Sequence, residues 1–257
     1  MSAAAPRPIT IAILAMGGEG GGVLAEWIVD LAEHAGYIAQ MTSVPGVAQR
    51  TGATNYYVEL FPKSATTANT GPPVLGLTPV PGDVDIVIAS ELMEAGRAVQ
   101  RGLVTPDKTT FIVSTNRVYA MTEKIALADG RADSPALLDA CHTSAKRLIS
   151  GDMAQLAEST GSVISSVLFG ALAGANVLPM QRMAFEAAIR RGGVGVKESL
   201  AAFGAGYAAA ESGIAPKTAE PVVTHVSPAL APLMAEASAY PEPARTYIRA
   251  GIERTAD

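Results

Sequence analysis

Five glycines fall within six positions, at Gly17, Gly18, Gly20, Gly21 and Gly22. They stand between a fully apolar, β-branched run at 9–15 and an amphipathic stretch at 23–35. A strand, a glycine turn and a helix in that order form an anion cradle. Glycine lets the backbone approach a phosphate, and the unpaired N–H groups of the helix start point at it. The spacing Gly20-x-Gly22-x-x-Ala25 fits a dinucleotide fingerprint, in one of several registers that so many glycines permit. Two features weigh against a nicotinamide cofactor. No Asp or Glu closes the next strand, about 20 residues on, where a ribose would be held. Glu19 also sits inside the turn, and its charge repels a phosphate. The residues leave three readings open: the nucleotide site of a free-standing NAD(P)-dependent Rossmann dehydrogenase, a site for another anion or cofactor, and a turn that only lets the first helix or another chain pack closely.

Other candidates cluster where predicted strands end. The stretch SVPGVAQRTGATNYYVEL, residues 43–60, puts Gln49, Arg50, Thr51 and Gly52 in a loop between two strands. Arg50 is a fixed cation with a planar fork suited to carboxylates and phosphates, and Gln49 both donates and accepts. Ser90 and Glu91 follow the apolar run at 83–90, and Asn116 and Arg117 follow the run at 109–115. A plainer reading stands beside each: a solvated loop arginine, or a serine capping a helix whose first turn favours an acid. Cys141 and His142 are adjacent on a predicted helix, so they point about 100° apart and do not form a nucleophile and base.

The elements that must position these residues can be read from periodicity. Apolar runs at 9–15, 83–90 and 109–115 predict buried strands, and 37–44 and 54–61 predict two more. A further strand is expected at 145–150. Helices are expected at 23–35, closed by Gly36, at 91–101, closed by Gly102, and at 134–144, with Ser134 as cap. The chain reads as helical over 162–211, with breaks near NVLPM and RRGGVGV. Residues 62–83, rich in Pro, Gly and Thr, predict a long irregular excursion. Strands alternating with helices predict an α/β, Rossmann-like three-layer domain with a mostly parallel sheet, a helical C-terminal part and an extended tail. The expected division is a domain at 1–211 and a Pro-rich arm at 212–257 packed on a partner subunit.

Composition narrows the function classes. The 257 residues are 49% apolar, 17% charged and carry a formal net charge of −5, with no basic tract, which argues against a nucleic-acid partner. No apolar run reaches the ~18 residues of a membrane span. The apolar stretch before Gly17 is too short for a secretory signal, so a cytoplasmic protein is expected. The single cysteine, Cys141, cannot form an internal disulfide or supply the about four ligands of an iron–sulfur cluster. The three histidines, His34, His142 and His225, lack metal-ligand spacing.

Taken together, GGEGGGVLAEWI, PGVAQRTGATNYYVEL and DVDIVIASELMEAGRAV resemble the gamma domain of the 2-oxoacid:ferredoxin oxidoreductases, in particular the beta subunits of the indolepyruvate ferredoxin oxidoreductase branch. VLFGALAGANVLPM and FEAAIRRGGVGVKESLAAFGAGYAAA agree, so the resemblance spans roughly residues 10–211. It implies oxidative decarboxylation of a 2-oxoacid (an arylpyruvate in that branch) on thiamine diphosphate, with electrons passing through [4Fe-4S] clusters to ferredoxin and an acyl-coenzyme A as product. It also implies that thiamine diphosphate and clusters belong to a larger alpha subunit. The gamma-type domain packs against that subunit and is associated with coenzyme A binding or closure of the active site. No catalytic or metal-ligating residue is expected in this chain, and it should be inactive alone. Gly17, Gly18, Gly20, Gly21, Gly22, Gln49, Arg50, Thr51, Gly52, Ser90 and Glu91 are the residues expected to bind cofactor or face the partner's active site. Two positions depart from the family pattern: many gamma domains carry glutamine in place of Glu19 and Gly-Gly in place of Thr51-Gly52.

Overall fold

The apolar run that opens the chain becomes the interior strand β1 (Ile9–Met16), buried from Thr10 onward. A strand this apolar needs cover on both faces, and it has it in the computed structural model, which describes residues 6–45, 53–66, 71–119, 123, 131–212, 231–241 and 244–254. The chain divides into two compact units, Met1–Ala215 and Pro216–Asp257. The first holds a sheet of six strands, with β2 (Tyr37–Val44), β3 (Ala53–Pro62), β4 (Ile86–Ala89), β5 (Thr110–Ser114) and β6 (Arg147–Gly151) in the order β2-β3-β1-β4-β5-β6. Strands β1, β4, β5 and β6 run parallel. β2 and β3 pair antiparallel with each other, and β3 pairs antiparallel with β1, so the sheet is mixed. Only eight residues separate β2 from β3, too few for a parallel crossover.

Two layers of helix cover the sheet. On one face Ile11, Ile13, Val58, Ile86, Ile88 and Ile112 meet α1 (Gly21–His34), α4 (Met153–Ser159), α5 (Ile164–Gly174), α6 (Arg182–Gly192) and α7 (Val196–Ser212). On the other, Ala12, Leu14, Val87, Phe111 and Val113 meet α2 (Leu92–Gln100) and α3 (Ser134–Ser144). Trp27, Phe169, Phe185, Phe203 and Tyr207 form a chain of ring contacts, with centroids 5.0–6.3 Å apart, that joins α1 to α5, α6 and α7. Phe203 is thus part of the core, as its helical spacing suggests. The irregular stretch at 71–83 lies across β2 and β3. Gln40 and Thr42 donate to the Gly76 and Leu77 carbonyls, at 2.9 and 2.7 Å, and the Gly76 N–H donates to buried Glu59.

At the amino ends of β1 and β4, Asp85 accepts from Arg7 at 2.7 and 3.0 Å and from the Thr10 N–H and hydroxyl at 3.0 Å. Burial pushes this carboxyl up, but the hydrogen bonds from Arg7 and Thr10 outweigh it and hold it below the usual range. This clamp fixes the register of the two central strands from below.

Local differences from the sequence reading are small and physical. Helix α3 begins at Ser134, with Asp133 in the cap position and Pro135 in the first turn. Helix α4 was not signalled by period. It is seven residues long and is started by Asp152, whose carboxylate accepts from Gln155 N–H at 2.9 Å. The second unit contains α8 (Ala231–Ala237) and α9 (Ala244–Arg254), although prolines break any period there. No single described helix is long and apolar enough to cross a membrane.

Helices α5 and α7 touch backbone to backbone. A Cβ on Gly170 would overlap the Phe203 carbonyl oxygen, and one on Gly206 would overlap the Val167 carbonyl oxygen. On the same helix as Gly206, Gly204 faces open space apart from Arg182 Nη2 at 3.9 Å. Gly206→Ala should therefore cost about 3 kcal/mol by overpacking. Gly204→Ala should stay within about 1 kcal/mol of the native protein, on the stabilising side. Urea unfolding of the pair checks this, and equal costs would refute the close-contact account.

Candidate functional site

The chain leaves β1 toward α1 on one face of the sheet and leaves β4 toward α2 on the other. Adjacent parallel strands whose connections diverge in this way open a crevice at their carboxyl ends, which is where open α/β sheets bind ligands. The glycine turn, Ser90 and Glu91 all lie at this crevice.

The turn is a tight one. Gly18 and Gly20 have φ of 93° and 75°, a region where a side chain would be strained. Gly21 and Gly22 admit α1 against the sheet. A Cβ on Gly21 would lie 2.5 Å from the Ala15 Cβ and 2.8 Å from the Tyr56 ring, and one on Gly22 would lie 3.4 Å from the Tyr56 hydroxyl. A Cβ on Gly20 would lie 2.7 Å from Ser165 Oγ at the start of α5. Two of the five glycines, Gly20 and Gly21, thus have neighbours that a side chain would crowd, Gly22 has room for ordinary contact, and Gly17 and Gly18 are exposed.

Glu19 folds back into the crevice. Its carboxylate accepts from the Met16 N–H at 3.2 Å and from the Ser90 hydroxyl. Ser90 Oγ in turn accepts from Met16 N–H at 3.2 Å, and Ser90 N–H continues the β1 ladder to Leu14 O at 3.0 Å. Ser90 is therefore a tether between β1, the turn and β4. The cap of α2 is Glu91, whose carboxylate accepts from Glu94 N–H at 2.6 Å, Met93 N–H at 2.9 Å and Val118 N–H at 3.4 Å. Burial pushes Glu91 above the ordinary carboxylate range, although these N–H groups and the Arg117 charge oppose it. Burial also pushes Glu94 up, against the charge of Arg97 and with help from Glu91.

The next strand ends are also occupied. Ser114 Oγ accepts from Met153 N–H at 3.1 Å and is bonded to Asn116 Oδ1, while Asn116 O accepts from Leu92 N–H at 3.1 Å. Arg117 is no solvated loop arginine. Its side chain is 12% exposed, pairs with Glu123 and stands 5.5 Å over the Tyr119 ring. Among the described residues its Nε and Nη1, both buried, have no hydrogen-bond partner. Cys141 is buried in the α2–α3 layer, which pushes its thiol up to about 11, and exposed His142 lies on another face.

Gln49, Arg50, Thr51 and Gly52 lie outside the described residues. The described strands on either side of them, β2 and β3, meet the carboxyl end of β1, since Met16 pairs with Ala53 and Asn55 pairs with Leu14 and Val44. Sequence reasoning missed Ser165 and Tyr56, which meet the turn from α5 and β3. Their spacing along the chain gives no sign of it, because only the sheet order and helix packing bring them there.

The pyruvate ferredoxin/flavodoxin oxidoreductase family model matches residues 10–209. A search of the curated proteins returns no match. Among solved structures, the fold is similar to a pyruvate oxidoreductase subunit from Thermotoga maritima (13% identity, TM-score 0.56, covering 79% of this chain and 96% of that one). It is similar to the gamma subunit of a keto/oxoacid ferredoxin oxidoreductase from Geobacter sulfurreducens (15% identity, TM-score 0.52, covering 79% and 98%). It also resembles part of a 2-oxoglutarate:ferredoxin oxidoreductase from Magnetococcus marinus, solved with 2-oxoglutarate, coenzyme A and succinyl-CoA (15% identity, TM-score 0.54, covering 80% of this chain and 31% of that one).

The buried Glu94 gives a pH test. Below the ordinary glutamate value of 4.5, both folded and unfolded chains hold the proton and burial adds no penalty. As pH rises the unfolded chain ionises first, so stability falls until Glu94 itself ionises. Glu94→Gln removes that step. Its stability relative to the native protein, from urea unfolding at a series of pH values, should rise between pH 4.5 and neutrality. A flat difference would mean that the Arg97 pair compensates fully.

Proposed function

Since the chain belongs to the pyruvate ferredoxin/flavodoxin oxidoreductase family, we propose that it is the non-redox subunit of a 2-oxoacid:ferredoxin oxidoreductase of the indolepyruvate, or arylpyruvate, type. The complex decarboxylates an aromatic 2-oxoacid oxidatively, forms its acyl-coenzyme A and reduces ferredoxin in the cytoplasm. The observation that carries this reading is a family domain of 200 residues in a chain with a single cysteine. That cysteine is buried. One thiol does not fit a [4Fe-4S] cluster. A Gly-Asp-Gly motif followed by an Asn-Asn pair, which would suit thiamine diphosphate, is missing from the sequence. The redox and decarboxylation chemistry then belongs to an alpha partner, and no step of it is assigned to residues of this chain.

What the chain contributes is a wall at the carboxyl edge of its sheet. Gly17 and Gly18, exposed in the turn, face the partner's active site. Gly20, Gly21, Gly22, Ser90 and Glu91 shape that edge from beneath, while Gln49 and Arg50, with Thr51 and Gly52, are assigned to substrate, the coenzyme A phosphates or the cofactor. The Magnetococcus relative supports co-substrate binding by coenzyme A in this class of enzyme, and in it the matched fold is one part of a longer chain. A subunit role is also supported by exposed apolar side chains on the edge strand β2 and the stretch beside it. Val44 is 54%, Leu77 69% and Val74 100% exposed. The filled crevice between β1 and β4 weighs against a free-standing NAD(P) dehydrogenase.

The complex purified by a tag on this chain should carry iron–sulfur and thiamine diphosphate. It should reduce a dye with indolepyruvate in preference to pyruvate or 2-oxoglutarate. In that complex, Arg50→Ala should lower kcat/KM for the oxoacid or for coenzyme A by about tenfold to a hundredfold, the loss expected for a charge-assisted hydrogen bond. Unaltered kinetics for both substrates would remove Arg50 from the site. Oxoacid oxidation by the isolated chain would sink the proposal.

A further inference from the structure

The glycine turn has the parts of an anion site. It opens a helix of 14 residues, α1, whose cap position is held by Gly20 with no side-chain cap. The N–H groups of the first helical turn have no intrahelical partners, and the positive end of the helix dipole favours negative charge. A second observation points the same way. Ser165, 1% exposed, stands against Gly20, and its buried hydroxyl has no hydrogen-bond partner among the described residues. Ser90 adds a second buried hydroxyl at the carboxyl end of β4. Ser165 meets the turn at Gly20, on the α5 side, and Ser90 meets it through Glu19, at the crevice where the connections of β1 and β4 diverge.

One carboxylate already occupies that crevice. Glu19 sits in the turn itself and is held by Met16 N–H and the Ser90 hydroxyl. We propose that Glu19 is a resident anion that closes a latent phosphate site at the glycine turn, and so determines that phosphate-bearing ligands of this subunit are met elsewhere. The closure has two parts. The side chain takes up the Ser90 hydroxyl and the Met16 N–H, which a phosphate oxygen would otherwise use. Its charge, at contact distance from any bound phosphate, repels it in a partly buried setting where screening by water is weak. The assignment stands independently of the indolepyruvate reading, because it concerns binding by this chain alone.

The test uses the full chain and inorganic pyrophosphate, followed by titration calorimetry, with the thermal midpoint and near-ultraviolet circular dichroism as checks of folding. Glu19→Ser shortens the side chain, removes the charge and opens the crevice beside Ser90. Glu19→Gln keeps the shape and an acceptor for Ser90 and removes the charge. The native chain should bind pyrophosphate no better than an ordinary protein surface. Glu19→Ser should bind it at least about tenfold more tightly, and Glu19→Gln should gain a smaller amount. Adding Ser165→Ala to Glu19→Ser should reduce the gained affinity, which a general change in net charge would not explain. If Glu19→Ser does not fold, the isosteric Glu19→Gln decides. Saturable binding by the native chain equal to that of the variants would overturn the proposal. So would folded Glu19→Ser and Glu19→Gln chains that both bind no pyrophosphate.

Discussion

The hydrogen bonds that join Glu19, Ser90 and Met16 close the seam between β1 and β4 at their carboxyl ends. β1 and β4 are neighbours, but their chains depart to opposite faces, so no connecting segment covers the gap between their carboxyl ends. In many α/β folds a bound ligand fills such a gap and completes the structure. Here the protein fills it with its own side chains. Ser90 accepts from one strand and donates to the turn, Glu91 caps α2 and reaches Val118 N–H, and Ser114 accepts from the start of α4. The carboxyl edge is thus stitched laterally from β1 to the helix after β6. That gives a rigid, polar rim, as a subunit needs if it is to form one side of another chain's active site.

This rim is supported by unusually close packing beneath it. Alanine and glycine let α5 and α7 meet backbone to backbone, and α5 in turn presents Ser165 to Gly20. Small residues lower the entropy lost on ordering side chains but bury little apolar area each. The aromatic chain from Trp27 to Tyr207 offsets this by concentrating buried area where α1, α5, α6 and α7 converge. Position and packing are therefore coupled. A change in the spacing of α5 and α7 moves Ser165, and with it the floor of the glycine turn.

The elements of the sheet were legible in the sequence because burial on both faces writes an unbroken apolar run. β1, β4 and β5 announce themselves in this way, and α1 does so by its amphipathic period, whose buried face is Leu24, Trp27, Ile28 and Leu31, with Val23 left exposed. The antiparallel insertion of β3 between β1 and β2 follows from the short connection to β2 but leaves no mark on composition. Helix α4 is too short to show a period, and it is set by one cap, Asp152. For the site, the glycine turn and the ends of β1, β4 and β5 could be read, and so could the awkwardness of a negative charge at Glu19. Its solution could not. The tether to Ser90 joins residues 71 positions apart, and only the adjacency of β1 and β4 makes it possible. The same holds for Arg117, whose loop position suggests solvent while its structure pairs it with Glu123 in a buried setting.

That last pair bears on how such a wall communicates with whatever lies against it. Arg117 carries a full charge, Glu123 balances it, and two of its donors remain unused. A buried guanidinium with spare donors is costly unless something answers it. Glu91 and Glu94, both nearly fully buried and both held above the ordinary range, add to the same account. Glu91 and Glu94 open α2, and Arg117 follows the carboxyl end of β5. The tethers beside them at Ser90 and Ser114 are neutral or singly charged hydrogen bonds. The buried carboxyls of Glu91 and Glu94 therefore stand at the start of α2, next along the chain to the Ser90 tether, so their protonation bears directly on the carboxyl edge of the sheet.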